Sequence, residues 1–453
     1  MGEIESNIIH FERFKNLLNW SVAGLIAQRI SYNQKYELVP IGSFLAKNKN
    51  IIELNNTIIY TQITLKTKNG GVVERGKKKG ADIGTKNQTI VRAGQFILSR
   101  IDARNGAFGI IPKELDGAIV TNDFPVFDID TNKVNPFFLL LITTTEAFIK
   151  FAQSCSSGTT NRQRIDVNMF LSQRIPLPPK EEQERIVFDF KNIIQEAEVL
   201  EQEAIAIEND NNAYLRQQLG ATIIKESYDL REGCKYLHFA RFRSITEWGT
   251  DIILKKQKQE SFKYPIAKIK DLCHLGSGGT PSRSNSEYYN GGIPWVKTGE
   301  VVNDEIIETE EHITKEAIAN SSAKLYPKGS LIIAMYGQGD TRGRTAKLGI
   351  DATTNQACAV LYDIDNSIVS TDYLWYYLQG QYHDLRSLAS GNNQPNLNAG
   401  KIKNYGVVVP PMEIQNEIVD HIKNQKELAK ELRLRAQKMR ETALKEFENI
   451  IFE

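Results

Sequence analysis

The side chains best able to do chemistry in this chain are guanidinium, ammonium and amide groups in short polar segments. Such groups make hydrogen bonds to the phosphates and base edges of nucleic acid. ERGKKKG is predicted to be a basic, glycine-flanked loop for phosphate contact, and each half carries an amide-rich turn. The residues of the first half that could make such contacts are Arg75, Lys77, Lys78, Lys79, Arg100, Arg104, Thr159, Thr160, Asn161, Arg162, Gln163 and Arg164. Those of the second half are Arg283, Tyr336, Gln338, Arg342, Arg344, Asn392, Asn393 and Gln394.

The charge balance supports this candidate set only in the first half. Residues Glu37 to Pro178 hold 18 Lys and Arg against 12 Asp and Glu, whereas Lys263 to Pro411 hold 14 against 15. The whole chain carries +1, which argues against a protein that binds nucleic acid by charge alone. A single Arg or Lys is more often a solvated surface charge than a base contact, and Trp295 is expected to pack within its domain.

Three segments imitate catalytic motifs without completing them. GVVERGK from Gly71 has phosphate-loop spacing, but Lys78 stands where Ser or Thr would bind magnesium. NPFF at Asn135 is similar to the NPPY-type loop of amino-methyltransferases but lacks the second proline. DLCHLGSGG from Asp271 lacks the acidic residue expected about 20 positions later in a dinucleotide site. The four cysteines show no CxxC spacing, so the sequence predicts no zinc site.

The elements that must position these residues occur twice. HFERFKNLLNW from His10 returns as HFARFRSITEW from His238, an offset of 228 residues. PPKEEQERIV from Pro178 returns as PPMEIQNEIV from Pro410 with six of ten residues identical. The two repeated segments are separated by nearly the same number of residues, which indicates a tandem duplication of a unit of about 230 residues. One polypeptide is therefore expected to imitate a dimer, with two similar surfaces related by a pseudo-twofold axis.

A long helix is predicted after each double proline, because proline is favoured at a helix start. Apolar residues then follow alternating steps of four and three, the heptad pattern of a coiled coil. Two antiparallel helices of ~38 residues, each covering the apolar seam of the other, would span roughly 57 Å. Asn211 and Gln425 are polar positions expected to fix the register, and ordinary amphipathic core helices remain the alternative. The main seam residues are Ile186, Phe190, Ile193, Ala197, Leu200, Ile207, Ile418, Ile422, Ala429, Leu432 and Met439.

These patterns predict an α+β chain in which two globular α/β domains are separated by two long antiparallel coiled-coil helices, in a tandem pseudo-twofold repeat. His10 to Ala27 is expected to lie beside the end of the second long helix. The scattered cysteines suggest no disulfide framework, and no apolar stretch approaches the ~20 residues needed to span a membrane, so we expect a cytoplasmic protein. The predicted boundaries are 1–36 for an N-terminal helical segment, 37–178 for the first globular domain, 179–235 for the central spacer helix, 236–262 for the second helical lead, 263–411 for the second globular domain and 412–453 for the C-terminal spacer helix.

One stretch carries a family resemblance. GSGGTPSRSNSEYYNGGIPWVKTGEV, from Gly276 to Val301, resembles the opening of a target-recognition domain in the DNA-specificity subunits of type I restriction-modification systems. The two double-proline junctions resemble that family's passages from recognition domain to spacer helix. The resemblance covers nearly the whole chain. The first globular domain lacks the GGTPS and GGIPW segments, so its assignment as a recognition domain rests on position, on its junction and on the similarity downstream.

The resemblance implies a non-catalytic subunit that recognises a bipartite sequence in double-stranded DNA, one half-site per recognition domain. It implies as partners methyltransferase (modification) subunits, expected to be two, and ATP-dependent restriction (translocase) subunits. S-adenosylmethionine, ATP and magnesium are then expected in the partner subunits, with no cofactor or metal in this chain. A self-contained DNA-modifying enzyme and a coiled-coil protein-interaction scaffold remain the alternatives.

Overall fold

The computed structural model of the chain describes residues 32–157, 164–224, 259–337, 339–388 and 397–452. The helical lead predicted at His10 to Ala27 and its copy from His238 lie outside these residues. The chain divides into two compact units, one of Met1–Leu200 with Leu434–Glu453 and the other of Glu201–Arg433.

The first unit consists of short strands followed by helices. Its strands are β1 (Leu38–Pro40), β2 (Leu45–Lys47), β3 (Ile51–Glu53), β4 (Ile59–Leu65), β5 (Val72–Lys79), β6 (Asn87–Ile90), β7 (Phe96–Leu98), β8 (Phe108–Ile110), β9 (Ile119–Val120), β10 (Val126–Ile129), β11 (Ser156–Ser157), β12 (Arg164–Ile165) and β13 (Arg174–Pro176). Its helices are α1 (Pro136–Thr144), α2 (Glu146–Ser154), α3 (Val167–Ser172) and the first part of α4 (Lys180–Gln218).

Two sheets share the core of this unit. One has the strand order β2-β10-β7-β8, and the other has the order β3-β6-β9-β4-β5, in which β9 and β4 run parallel. Successive side chains of a strand point to opposite faces, so β7 directs Phe96 and Leu98 to one hydrophobic cluster and Ile97 to another. Five buried phenylalanine rings, with centroids 5.9 to 6.4 Å apart, form the centre of the larger cluster: Phe96, Phe108, Phe127, Phe148 and Phe170.

The second unit continues from α4. Its strands are β14 (Thr222–Ile224), β15 (Gln259–Ser261), β16 (Ile266–Lys268), β17 (His274–Ser277), β18 (Tyr289–Val296), β19 (Glu305–Ile306), β20 (Glu311–Ile313), β21 (Leu331–Ala334), β22 (Thr345–Leu348), β23 (Thr353–Thr354), β24 (Cys358–Tyr362) and β25 (Gly406–Val408). Its helices are α5 (Lys315–Ala319), α6 (Thr371–Gly380), α7 (Tyr382–Ser387), α8 (Ala399–Lys403) and the first part of α9 (Met412–Ile451).

The second unit repeats the topology of the first. The order β17-β24-β21-β22 corresponds to β2-β10-β7-β8, and the parallel pair β18 and β23 corresponds to β4 and β9. The antiparallel pair β16 and β25 likewise matches β1 and β13. The mixed helix and sheet fold and the tandem repeat predicted from the sequence are therefore confirmed.

The segment ERGKKKG is a strand, so the prediction that it forms a basic loop is wrong. Glu74 to Lys79 belong to β5, the edge strand of the five-stranded sheet, which pairs with β4 from Ile59↔Lys79 to Leu65↔Val72. The register shifts by one residue near Gly76, a β-bulge. The charged run is compatible with a strand because an edge strand leaves side chains in water, and charges there discourage pairing with other chains.

Both long helices begin directly after the double prolines, and they are 39 and 40 residues long. All the predicted seam positions on both helices are buried or half-buried. Alanines at the centre of the seam, Ala197, Ala204, Ala429 and Ala436, are fully buried. The described part of the chain contains no helix long and apolar enough to cross a membrane.

The two long helices pack antiparallel, as predicted. In the first unit the ring of Phe190 on α4 lies 6.5 Å from that of Phe447 on α9. In the second unit Tyr214 stacks on His421 at 3.7 Å. Residues late in one helix thus meet residues early in the other. Arg433 adds polar contacts across the pair, donating to Glu208 at 2.8 Å and to Glu201 at 3.3 Å.

One buried glutamine near the start of each long helix joins it to its globular domain. The Gln183 amide accepts from the Asn135 main-chain N–H at 2.8 Å and donates to the carbonyls of Lys133 and Pro178 at 3.1 and 2.8 Å. Gln415 makes the same three bonds in the second unit, to Ser370, Ile368 and Pro410, at 2.8 to 3.0 Å. These junction glutamines fix where each helix leaves its domain.

The start of the described chain contacts the end of α9. The Tyr32 ring stacks on Phe452 with centroids 5.5 Å apart, and the Asn33 N–H donates to the Ile451 carbonyl at 3.0 Å. The Lys263 N–H makes the equivalent bond to Leu219 at the end of α4, also at 3.0 Å. The end of each long helix is therefore covered by the segment that leads into a globular domain.

Candidate nucleic-acid interface

The loop after β7 carries the first candidate arginines. The Arg100 main-chain N–H donates to the Asp123 carbonyl at 2.8 Å, and its carbonyl accepts from the Ile165 N–H at 2.8 Å. The Arg164 guanidinium binds the Asp123 carboxylate at 3.1 and 3.2 Å. The structure thus brings Arg100 and Arg164 together beside Asp123. The intervening candidates Thr159, Thr160, Asn161, Arg162 and Gln163 lie outside the described residues.

Arg104 lies farther along the same loop and is held by two other elements. The N–H groups of Lys68 and Asn69, in the turn between β4 and β5, donate to the carbonyls of the two residues after Arg104 at 2.7 and 3.1 Å. The Gln153 side chain of α2 donates to the Arg104 carbonyl at 3.0 Å. These bonds fix the backbone of the loop, which gives the side chains it carries a rigid base.

The equivalent loop of the second unit follows β21. The Gly343 N–H donates to the Ala334 carbonyl, and the Ala334 N–H donates to the Arg344 carbonyl, both at 2.9 Å. These bonds close a hairpin whose tip lies outside the sheet. It carries the candidates Tyr336, which is exposed, and Arg342 and Arg344, which are half-buried, while Gln338 is outside the described residues.

Helix α7 holds this hairpin through two side chains. The Tyr382 hydroxyl donates to the Asp340 carbonyl at 2.7 Å. Arg386 donates to the Arg342 carbonyl at 3.1 Å and to the Tyr382 hydroxyl at 2.8 Å. No sequence pattern marks Tyr382 or Arg386, because their role depends on main-chain carbonyls that only the fold brings near.

Each amide-rich turn is followed by a residue that makes an equivalent main-chain hydrogen bond. The Leu397 N–H donates to the Met335 carbonyl at 3.2 Å, matching the bond from Ile165 to Arg100 in the first unit. The chain that leaves each turn is therefore bonded to the loop that carries the candidate arginines of its own unit. Asn392, Asn393 and Gln394, in the second turn, lie outside the described residues.

The lysines of β5 do not join the arginine cluster. Lys77, Lys78 and Lys79 are exposed at the end of the β4–β5 hairpin away from its turn, whereas the turn itself contacts the Arg104 loop. From Val72 to Lys79 the strand extends about 23 Å at ~3.3 Å per residue. Arg75 is also exposed, on the same strand.

Arg283 is engaged within its own domain. It donates to both carboxylate oxygens of Glu311, at 2.6 and 3.3 Å. Its guanidinium lies 4.4 Å from the Tyr289 ring and 4.9 Å from the Trp295 ring. The hydrogen bond to Glu311 raises the pKa of Arg283, and the same bond lowers the pKa of Glu311. The Trp295 indole N–H donates to the Gly279 carbonyl at 3.0 Å, so this tryptophan packs as expected.

The three segments that resemble catalytic motifs have structural roles. GVVERGK lies in β5 and its preceding turn, not at a helix start. Asn135 of NPFF caps α1, its side chain accepting from the N–H groups of the next two non-proline residues. A Cβ on Gly278 would overlap the Asn355 carbonyl oxygen, so close packing requires this glycine. Among the described residues, no group of three or more His, Cys, Asp or Glu is placed to hold a metal.

A match to a protein-family model agrees with the duplicated fold and its repeated polar loops. The model of the type I restriction modification DNA specificity domain matches residues 34–209 and 262–435. The chain belongs to this family. It carries two copies of the type I DNA specificity domain, and each copy includes the beginning of a long helix.

Individual relatives agree with this assignment. The type I restriction enzyme MjaIX specificity subunit of Methanocaldococcus jannaschii is 28% identical over 187 residues, which cover 40% of this chain and 41% of the relative. This chain thus spans less than half of that subunit. The HindI specificity subunit of Haemophilus influenzae is 23% identical over 378 residues, covering 74% of this chain and 80% of the relative. A chain solved in work on complex assembly of the type I R-M system has a TM-score of 0.55 at 17% identity, covering 93% of this chain and 98% of that chain, and shows the fold.

Proposed function

We propose that this chain is the DNA-binding specificity subunit of a type I restriction-modification complex and recognises a bipartite target, one half-site per recognition domain. The observation that carries the proposal is the pair of equivalent polar loops. In each unit the residue that follows the amide-rich turn, Ile165 or Leu397, donates the same main-chain hydrogen bond to the arginine-bearing loop. Guanidinium and amide groups together can bind phosphates and read base edges.

The partners we propose are two modification (methyltransferase) subunits and restriction (translocase) subunits. The family and the named relatives support partners of this class. We propose that S-adenosylmethionine, ATP and magnesium are bound by those subunits and that this chain has no catalytic site. Detectable S-adenosylmethionine binding by the purified chain would instead favour the self-contained modifying enzyme.

The test is to exchange residues 37–178 as a block for the corresponding block of a relative with different specificity. The junction glutamine Gln183 binds only main-chain atoms of this block, so its contacts survive a change of side chains. Methylome sequencing of cells that carry the partner genes should then show one half-site changed and the other retained. An unaltered motif, or loss of methylation at both half-sites in a folded variant, would contradict the proposal.

A further inference from the structure

The arginine-bearing loop of each unit, residues 99–107 between β7 and β8 or 335–344 between β21 and β22, is held by one helix side chain. In the second unit the Arg386 guanidinium of α7 donates to the Arg342 carbonyl at 3.1 Å. In the first unit the Gln153 amide of α2 donates to the Arg104 carbonyl at 3.0 Å. Both donors therefore bind the main chain of a candidate arginine.

Gln153 and Arg386 occupy equivalent places in the two units. Arg386 follows Gln153 by 233 positions, and the junction glutamine Gln415 follows Gln183 by 232. Each donor lies on the second helix after equivalent strands, β10 in the first unit and β24 in the second. Glutamine and arginine share little except a terminal N–H donor. What the two copies have in common at this place is therefore the hydrogen bond to the loop.

The loop of the second unit has a backbone that needs external support. Gly337 and Gly343 have φ of +147° and +88°, a region that glycine enters far more readily than other residues. A Cβ on Gly343 would lie 2.9 Å from Arg386 Cγ, so the missing side chain also lets α7 approach the loop. A glycine-rich backbone has many accessible conformations, and contacts from α7 select one of them.

Two side chains of α7 act together on this loop. The Tyr382 hydroxyl donates to the Asp340 carbonyl at 2.7 Å. Arg386 donates to that hydroxyl at 2.8 Å, and its guanidinium carbon lies 5.3 Å from the centroid of the Tyr382 ring. The two carbonyls that α7 holds are two residues apart, at Asp340 and Arg342. The path of the loop over these residues is therefore fixed from outside.

The position of the loop backbone matters for reading DNA. Direct contacts between side chains and base edges depend on geometry, and binding groups must be held within about 0.5 Å of their productive positions. A bond to the carbonyl of an arginine fixes where its side chain begins. Loss of that bond moves the side chain without changing its chemistry.

We propose that Arg386 and Gln153 are positioning residues for half-site recognition, each setting the place of the arginine-bearing loop in its own unit. The inference rests on the proposed function and adds to it two residues that act through the loop and not by contact with a base. Tyr382 supports Arg386 in this role.

The experiment measures DNA binding by the complex purified from cells that carry the partner genes. Three duplexes are compared: one carries the bipartite motif found by methylome sequencing, and in each of the others one half-site is scrambled. The ratio of Kd for the scrambled duplex to Kd for the intact duplex gives the discrimination at that half-site. The exchange of residues 37–178 shows which half-site belongs to which unit.

Arg386→Met should lower discrimination at the second unit's half-site by about ten-fold or more, because one base contact contributes roughly that much. Discrimination at the first unit's half-site should not change, which shows that the complex is folded. Gln153→Met should give the reverse pattern, with a smaller change because water competes for this exposed hydrogen bond. His383→Met, at an exposed position of α7, is the matched control and should keep both ratios.

Arg386→Gln separates positioning from direct DNA contact. It keeps an N–H donor, as Gln153 does, and removes the charge. It should retain most of the parental discrimination and the parental salt dependence of binding, because a residue that does not touch phosphate releases no counterion. A loss as large as in Arg386→Met, or a slope of log Kd against log salt lower by about one, would show direct contact and overturn the proposal.

Three further outcomes are decisive. Unchanged discrimination in Arg386→Met overturns the proposal. Equal losses at both half-sites, in Arg386→Met and in Gln153→Met alike, show a general defect and also overturn it. A parent complex that discriminates at neither half-site contradicts the proposed function itself.

Discussion

In each unit the side chain of one buried glutamine makes hydrogen bonds that join the globular domain to its long helix. Gln183 and Gln415 are both fully buried, and each satisfies one N–H and two carbonyls. The sequence indicates that this residue matters, because it is one of the six identities shared by the two junctions. It does not indicate the role, since two of the three main-chain partners of Gln183, at Asn135 and Lys133, lie 48 and 50 positions earlier and meet it only in the folded domain.

Replacement of a junction glutamine should therefore be costly. Gln183→Ala leaves the Asn135 N–H and two carbonyls without their partner in a buried place, and we expect the free energy of unfolding to fall by roughly 2–4 kcal/mol. Urea denaturation measures the change. Gln202→Ala, at an exposed position on the same helix, is the matched control and should stay within about 0.5 kcal/mol of the parent. A Gln183→Ala protein as stable as that control would show that the bridge is energetically unimportant.

At the scale of elements, the sequence predicts the long helices well and the strands less well. The helices are recognisable because a heptad pattern repeats over many turns and the double prolines mark both starts. The segment from Arg75 to Lys79 resembles a loop in the sequence because its charges conceal strand character. Its place as an edge strand depends on pairing with β4, a tertiary effect that local composition does not contain. The candidate arginines at Arg100 and Arg164 are far apart in sequence, and only the fold joins them.

The central alanines of the helix pair lead to a prediction about packing. Ala429 is fully buried, and the register set by the Tyr214–His421 stack places it near Ile207 of the opposite helix. Ala429→Leu forces extra volume into this contact and should lower the free energy of unfolding by about 1–3 kcal/mol. Asn424→Leu introduces the same side chain at an exposed position of α9 and serves as control in thermal and urea unfolding. Equal stability of the two variants would mean that the helices do not pack closely there.

The two units of the molecule share one duplicated fold but differ in the side chains that line equivalent places. Two repeated sequence segments reveal the duplication. The structure adds equivalent hydrogen bonds in the two copies, made by Gln183 and Gln415 and by Ile165 and Leu397. The groove between α1 and α4 in the first unit is lined mainly by apolar side chains, whereas the cavity between α6 and α9 in the second unit is lined mainly by polar ones. This difference is not predictable from the sequence. It requires knowledge of which helix faces meet, and residues such as Lys426 look like ordinary surface charges in the sequence.

Each long helix contributes to both units, so the length of the pair should set the gap between the two half-sites in the proposed function. The antiparallel register places Leu200 level with Ala436, so one heptad inserted after Leu200 and one before Ala436 keep the seam in phase. This lengthens the pair by about 10.5 Å, or roughly three base pairs at ~3.4 Å each. Methylome sequencing should show that methylation at the original gap is lost and that any remaining methylation has a gap longer by about three base pairs.

Those sites should be methylated weakly, because three base pairs also rotate one half-site around the duplex. Four residues inserted after Leu200 alone interrupt the heptad seam, so methylation at the original gap should be lost, either because the gap changes or because binding fails. Retention of the original gap by the double-heptad variant would show that the helix pair is not the spacer.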